Sequence, residues 1–152
     1  MNSSETSANE THQTNDKART LAAAKWGDAL DAGFQIIPNV LVRGQAKLGL
    51  DALDVVILLN VNMHWWQPED LPYPQPRVIA SRMGVSIRTV ERRLEVLEQK
   101  GLLHRLAPEK LPKQIARRRI DLGGLINRLQ IFSRTNLSTR MKRSELDTSL
   151  EA

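Results

Sequence analysis

The chain has 152 residues, 41% of them hydrophobic, no cysteine and a formal net charge of +5. That length supports one domain of ordinary size with a true core, and the lack of cysteine excludes disulfides and thiolate metal sites. The longest apolar run, Val55 to Leu59, is far too short to cross a bilayer, so a cytoplasmic, nucleoid-associated protein without membrane contact is expected.

Charge is unevenly placed. Residues 1–32 and 33–76 each carry a net of −2, whereas residues 77–143 carry seventeen bases against five acids, a net of +12, and the remainder carries −3. Such a block raises a positive potential that attracts polyanions. A solvated basic face, or attraction to anionic lipid, has the same charge signature, so the motifs must decide.

Residues 1–16 are rich in Ser, Thr, Asn and Glu without apolar periodicity and read as a disordered arm. The composition then turns Ala-rich, and Leu21, Trp26 and Leu30 allow a peripheral helix over 17–32 before Gly33 interrupts it. Gly33 to Pro38 alternates apolar and polar residues, the pattern of a short strand, and a short helix can follow from Asn39. Asp51 is placed to cap a buried helix running to about Met63, with Asp54 near the positive end of its dipole. After His64-Trp65-Trp66, the prolines 68, 72, 74 and 76 make a stiff connector that cannot be helical. The paired tryptophans invite a base-stacking platform, although aromatic packing at a helix end is the commoner arrangement.

Residues 77–102 carry the parts of a helix-turn-helix in register. Ala80 is small where two helices cross, Gly84 permits the positive φ of the tight turn, Val85 plugs the gap beneath it and Ser86 caps the second helix. Val90, Leu94 and Leu97 form its apolar stripe. Arg88 and Arg92 lie opposite, flanked by Thr89 and Arg93, so Ser86, Arg88, Thr89, Arg92 and Arg93 are the candidate DNA contacts of a recognition helix. Gly101 suits the left-handed position beyond its C-terminus. Two short β-like runs, about 102–106 and 115–122, joined by a basic loop, then make a wing. Arg77, Lys110, Lys113, Arg117 and Arg119 are its candidate phosphate or minor-groove contacts, with Arg117 and Arg119 on the strand face opposite Ile120 and Leu122.

Tyr73-Pro74, Ile79-Ala80, Gly84-Val85-Ser86, Arg88-Thr89-Val90, Leu94, Leu97 and Gly101-Leu102 together resemble the winged helix-turn-helix modules of bacterial, plasmid and phage replication initiators and of GntR-type regulators. The resemblance covers roughly residues 33–132. It implies a mainly α fold with a small β-hairpin wing (α+β) and a module that binds double-stranded DNA. The second winged helix of many initiators and the effector domain of GntR-type regulators do not fit in this length, so no small-molecule effector is expected.

Leu122, Leu125, Ile126, Leu129 and Phe132 recur at helical spacing, so a last helix leaves the wing; Leu125, Leu129 and Phe132 are available to close the core or, like the Ala-rich helix from Lys17 to Leu30, to pair two subunits of a homodimer. Residues 133–152 read as a polar tail with Arg134, Arg140, Lys142 and Arg143 as further phosphate contacts. No two histidines stand at a ligand spacing, and there is no Gly-rich phosphate loop or nucleophile elbow. The expectation is a non-enzymatic, cofactor-free DNA-binding protein, first a small transcriptional regulator, alternatively a replication-initiation or accessory protein of a plasmid or phage, and further a protein-docking or RNA-binding module.

Overall fold

The computed structural model describes residues 16–17, 19–110 and 116–150, with side chains described up to residue 136. Most of the expected arm, residues 1–15, and Lys113 of the expected wing tip lie outside the described residues. Two units divide the chain after Ile36.

In the first unit, residues 19–26 are helical (α1) and lead into a 3-10 turn at Gly27–Leu30. Trp26 is exposed, and the Lys25 ammonium sits 5.1 Å from its ring centroid. No strand forms over residues 33–38. The alternation there is too short to hold without a neighbouring edge to complete a ladder, and Ile36 is 83% exposed.

The second unit is mostly helical with one small antiparallel sheet. Helix α2 (Asn39–Gly44) follows Pro38, and α3 (Ala52–Asn62) starts at Asp51. Asp51 Oδ1 accepts from the Asp54 N–H at 2.9 Å, and Asp54 Oδ2 accepts from the Asp51 N–H at 3.1 Å, a reciprocal cap that satisfies two end donors. Ile57, Leu58 and Val61 of α3 enter the core.

Helix α4 (Pro76–Met83) begins with proline at a position whose N–H has no helical partner anyway. It stops at Gly84, which takes φ 66° and ψ 30°, and the Val85 N–H returns to the Ala80 carbonyl at 3.1 Å. Two residues on, Ser86 starts α5 (Ile87–Gln99), its Oγ accepting from the Thr89 N–H at 3.1 Å. Val90, Leu94 and Leu97 are buried in the same cluster as Ile79 and Ala80 of α4, so the stripe expected to face the core does so. Beyond α5 the Gly101 N–H returns to Glu98 and the Leu102 N–H to Leu97, the paired bonds that close a helix C-terminus around a left-handed glycine.

Strand β1 (His104–Arg105) pairs antiparallel with β2 (Ile120–Asp121), His104 opposite Asp121, and a bridge between Glu109 and Arg117 extends the hairpin. The Ile120 N–H donates to the Pro72 carbonyl at 2.8 Å, so the proline connector runs along the other edge of β2. Proline suits that edge because it lacks the N–H that a continued ladder would require.

Helix α6 (Gly123–Leu150) starts where Asp121 Oδ1 accepts from the Gly123 N–H at 2.7 Å. The Leu125 N–H donates to the Leu102 carbonyl at 2.8 Å, and a Cβ on Gly124 would stand 2.0 Å from the Gly101 carbonyl oxygen. Only glycine allows that approach. Leu125 and Leu129 are buried in the domain's own core, so these two are not the shared subunit surface that their spacing allows, while the half-buried Phe132 ring lies against Gly44 of α2. Ile131, 58% exposed, is an apolar residue that α6 turns outward. The helix also runs through the segment expected as a polar tail, since nothing from Ser133 to Leu150 is glycine or proline.

Candidate nucleic-acid interface

The outer face of α5 carries Arg88, Glu91, Arg92 and Glu95, all exposed. They border a shallow concavity together with Arg105 of the hairpin. Arg88 and Arg92 stand one turn apart and form no ion pair or hydrogen bond among the described residues. Ser86 has its oxygen committed to the cap, and its Oγ also lies 2.8 Å from Thr89 Oγ1. These two hydroxyls position the helix start and sit at its exposed rim.

Arg93 goes elsewhere. Its Nη1 lies 2.5 Å from Asp51 Oδ2 and 3.5 Å from Asp54 Oδ1, so it crosses to the capped start of α3. The reason is positional: residue 93 flanks the stripe formed by Val90, Leu94 and Leu97, on the side that α3 occupies. The Asp51 carboxyl is held below the ordinary carboxylate range, first by the Asp54 N–H and then by the Arg93 charge, against an opposing effect of burial.

The hairpin cations divide in the same way. Lys110 is exposed without a bonding partner among the described residues. Arg77, at the start of α4, is exposed and donates from Nε to Gln75 Oε1 at 2.7 Å. Arg117 places its guanidinium 4.5 Å from the Tyr73 ring centroid. Arg119 is tied down: Nη1 reaches Asp70 Oδ1 at 2.7 Å and the Leu71 carbonyl at 3.2 Å, while Nε reaches Glu109 Oε1 at 3.0 Å. Those carboxylates, Asp70 foremost, raise its pKa further above the usual arginine range. It clamps the connector to the hairpin and has little left for a phosphate.

Two residues that alternation and periodicity did not single out, Arg118 and Arg105, add to the cations of the hairpin. Arg118 is exposed between the two expected arginines, donating from Nε to the Leu106 carbonyl at 2.9 Å. Arg105 binds Glu98 through its backbone N–H (2.7 Å) and Nε (3.0 Å) and Glu91 through Nη1 (3.2 Å), fastening the hairpin base to α5. These contacts, led by the backbone N–H, hold the Glu98 carboxyl below its ordinary range. Arg82 on α4 does not border the α5 concavity and faces His64 instead, Nη1 to Nε2 at 3.3 Å. No group of three or more His, Asp or Glu side chains among the described residues is arranged to hold a metal ion, and no described helix is long and apolar enough to cross a membrane.

Residues 37–145 match the family model of the DnaD N-terminal domain. A stretch of 76 residues is 30% identical to the replicative helicase loading/DNA remodeling protein DnaD of Bacillus subtilis (strain 168), covering 50% of this chain and 32% of that protein. The chain therefore matches about a third of its curated relative's length. The crystal structure of the N-terminal domain of DnaD protein from Geobacillus kaustophilus HTA426 superposes with a TM-score of 0.55 at 23% identity, covering 78% of this chain and 96% of that one, and shares the fold. A possible transcriptional regulator from Methanosarcina mazei Go1 aligns at a TM-score of 0.41 and 16% identity, over 70% of this chain and 82% of that one, too distant to bear on function.

Proposed function

The chain belongs to the DnaD N-terminal domain family, and we propose that it serves DNA replication as a non-enzymatic module that docks on double-stranded DNA with a winged helix-turn-helix. The name of the Bacillus relative, a helicase-loading and DNA-remodeling protein, favours the replication alternative over the transcriptional regulator expected first. In this reading α4 and α5 are the two motif helices, α5 lies in the major groove, and the hairpin is the wing. The observation that carries it is the pair Arg88 and Arg92, exposed one turn apart on a helix whose opposite stripe is wholly buried. Arginine there can pair with guanine O6 and N7, and Lys110, Arg118 and Arg77 lie at positions suited to phosphates.

A second reading rests on Glu91 and Glu95, which interleave with those arginines and leave the α5 face formally neutral. Such a face suits a protein of mixed charge as well as DNA. A mobility shift on duplex DNA separates the two. If α5 meets DNA, Arg88→Ala with Arg92→Ala weakens binding to a preferred site by about 1–3 kcal/mol per residue, and Glu91→Gln with Glu95→Gln strengthens it by removing charge facing phosphates. Duplex affinity unmoved by all four changes places a protein partner on α5 instead. Binding as a homodimer, with half-sites about 10 base pairs apart, completes the reading because one helix contacts few base pairs. Sedimentation of the DNA complex as a one-chain species refutes that part.

A further inference from the structure

A cleft of about 360 Å³ opens between the end of α3, the proline connector, α4 and the hairpin. It lies apart from the Arg88–Arg92 face and is lined among others by His64, Leu71, Tyr73, Val78, Arg82 and Arg117. Tyr73 is 40% exposed and Val78 37%, so both present apolar surface within reach of a ligand in the cleft. We propose that this cleft holds one unpaired nucleotide of a single-stranded nucleic acid, its base against Tyr73, Arg117 and Val78 and its phosphate against Arg82.

Three features converge on that ligand. Tyr73 and Arg117 form a stacked pair, 4.5 Å from guanidinium to ring centroid, and an aromatic ring joined to a guanidinium plane is a surface on which a base continues the stack. The one acid in the lining, Asp70, is paired with Arg119 at 2.7 Å, which leaves the Arg82 guanidinium as a cation at the mouth. Arginine has no acceptor, so Arg82 Nη1 donates to His64 Nε2, and the Nε and Nη2 hydrogens remain for phosphate oxygens. The volume is near the lower bound for a small-molecule site, enough for one nucleotide. Base pairs in a duplex keep their faces stacked on one another, so a contact to a ring face selects an unpaired base. An acidic peptide would answer the two charges but would make no use of the Tyr73 and Arg117 planes.

The test uses the full chain, fluorescence anisotropy, a labelled twelve-residue oligothymidine and a duplex of the same length. Tyr73→Ala and, separately, Arg82→Gln weaken oligothymidine binding about tenfold or more, Tyr73→Phe stays within about twofold of the parent, and duplex binding changes by less than about twofold. Arg88→Ala with Arg92→Ala gives the opposite pattern, so the failure of either surface is seen without the other. Oligothymidine affinity unchanged in both Tyr73→Ala and Arg82→Gln overturns the assignment. So does equal loss in Tyr73→Phe and Tyr73→Ala, or displacement of the oligonucleotide by oligoglutamate at matched charge, which would mean that the cleft reads charge alone.

Discussion

Arg93 and Arg88 lie five residues apart on one basic helix, yet their removal should have opposite consequences. The Asp54 side chain is 1% exposed, and its Oδ1 has no hydrogen-bond partner; the Arg93 guanidinium 3.5 Å away compensates its charge. Arg93→Ala strands that carboxylate and takes a partner from Asp51. Breaking a buried pair costs about 3–5 kcal/mol, but Arg93 is 27% and Asp51 48% exposed, so water screens part of the loss. About 1–3 kcal/mol is the expected destabilisation. Arg88→Ala, with no contact to lose, should stay within about 0.5 kcal/mol. The sign with pH follows from Asp51. Its folded pKa lies below the unfolded value, so its share of stability is present above the unfolded pKa near 3.8 and is lost as pH falls through the folded one. Urea unfolding at pH 7 should therefore separate Arg93→Ala from the parent, and the gap should narrow below about pH 4. Mobility shifts at protein concentrations where both are folded should show Arg93→Ala binding duplex DNA like the parent. Equal stability of the Arg93 and Arg88 variants, or a loss of DNA affinity in Arg93→Ala matching that of Arg88→Ala, refutes the division between anchor and contact.

Gly124→Ala puts a methyl group 2.0 Å from the Gly101 carbonyl and must push α6 off the turn after α5; overpacking of that kind costs about 1–3 kcal/mol, read as a melting temperature several degrees lower. An unchanged melting temperature would show that the seam is looser than its geometry. Lys110→Ala with Arg118→Ala should flatten the plot of log K against log salt by about 1.8, while Arg119→Ala should change it little, because Asp70 and Glu109 already hold that guanidinium. A full unit lost from the slope on removing Arg119 would mean that its clamp opens on DNA.

The helices were legible where the code is local. Asp51 and Ser86 are caps, Gly84 and Gly101 take positive φ, and the Val90–Leu94–Leu97 stripe is core, because each depends on neighbours a few residues away. Residues 33–38 misled because period-2 alternation describes a side-chain pattern and says nothing about whether an edge lies alongside. Among the site residues, Arg88 and Arg92 follow from helical phase alone. What separates Arg93 from Arg92 is the arrival of α3 beside one flank of α5, and what separates Arg119 from Arg118 is Asp70, forty-nine positions earlier. Partners that distant leave no periodic trace. Tyr73 was visible only as part of a family resemblance, since a tyrosine between prolines has no pattern of its own, and its stacking on Arg117 depends on the connector pairing with β2.

That connector also bears on how the molecule opens. Only two residues of each hairpin strand form the ladder, a single bridge between Glu109 and Arg117 extends it, and side chains add the remaining ties: Arg105 to Glu91 and Glu98, Arg119 to Asp70 and Glu109. The hairpin beyond Arg105 and Ile120 is therefore expected to lift away as a unit while the helices stay intact, because its ties there are few and near solvent, whereas Ile120 at its base is buried in the core cluster. In native-state hydrogen exchange its amides at Leu106, Glu109 and Arg117 form one low-energy isotherm, and those of Val90, Leu94 and Leu97 follow global unfolding. Ionic strength and acid loosen the first class selectively, so the reach of the hairpin responds to the same salt that screens its approach to a polyanion.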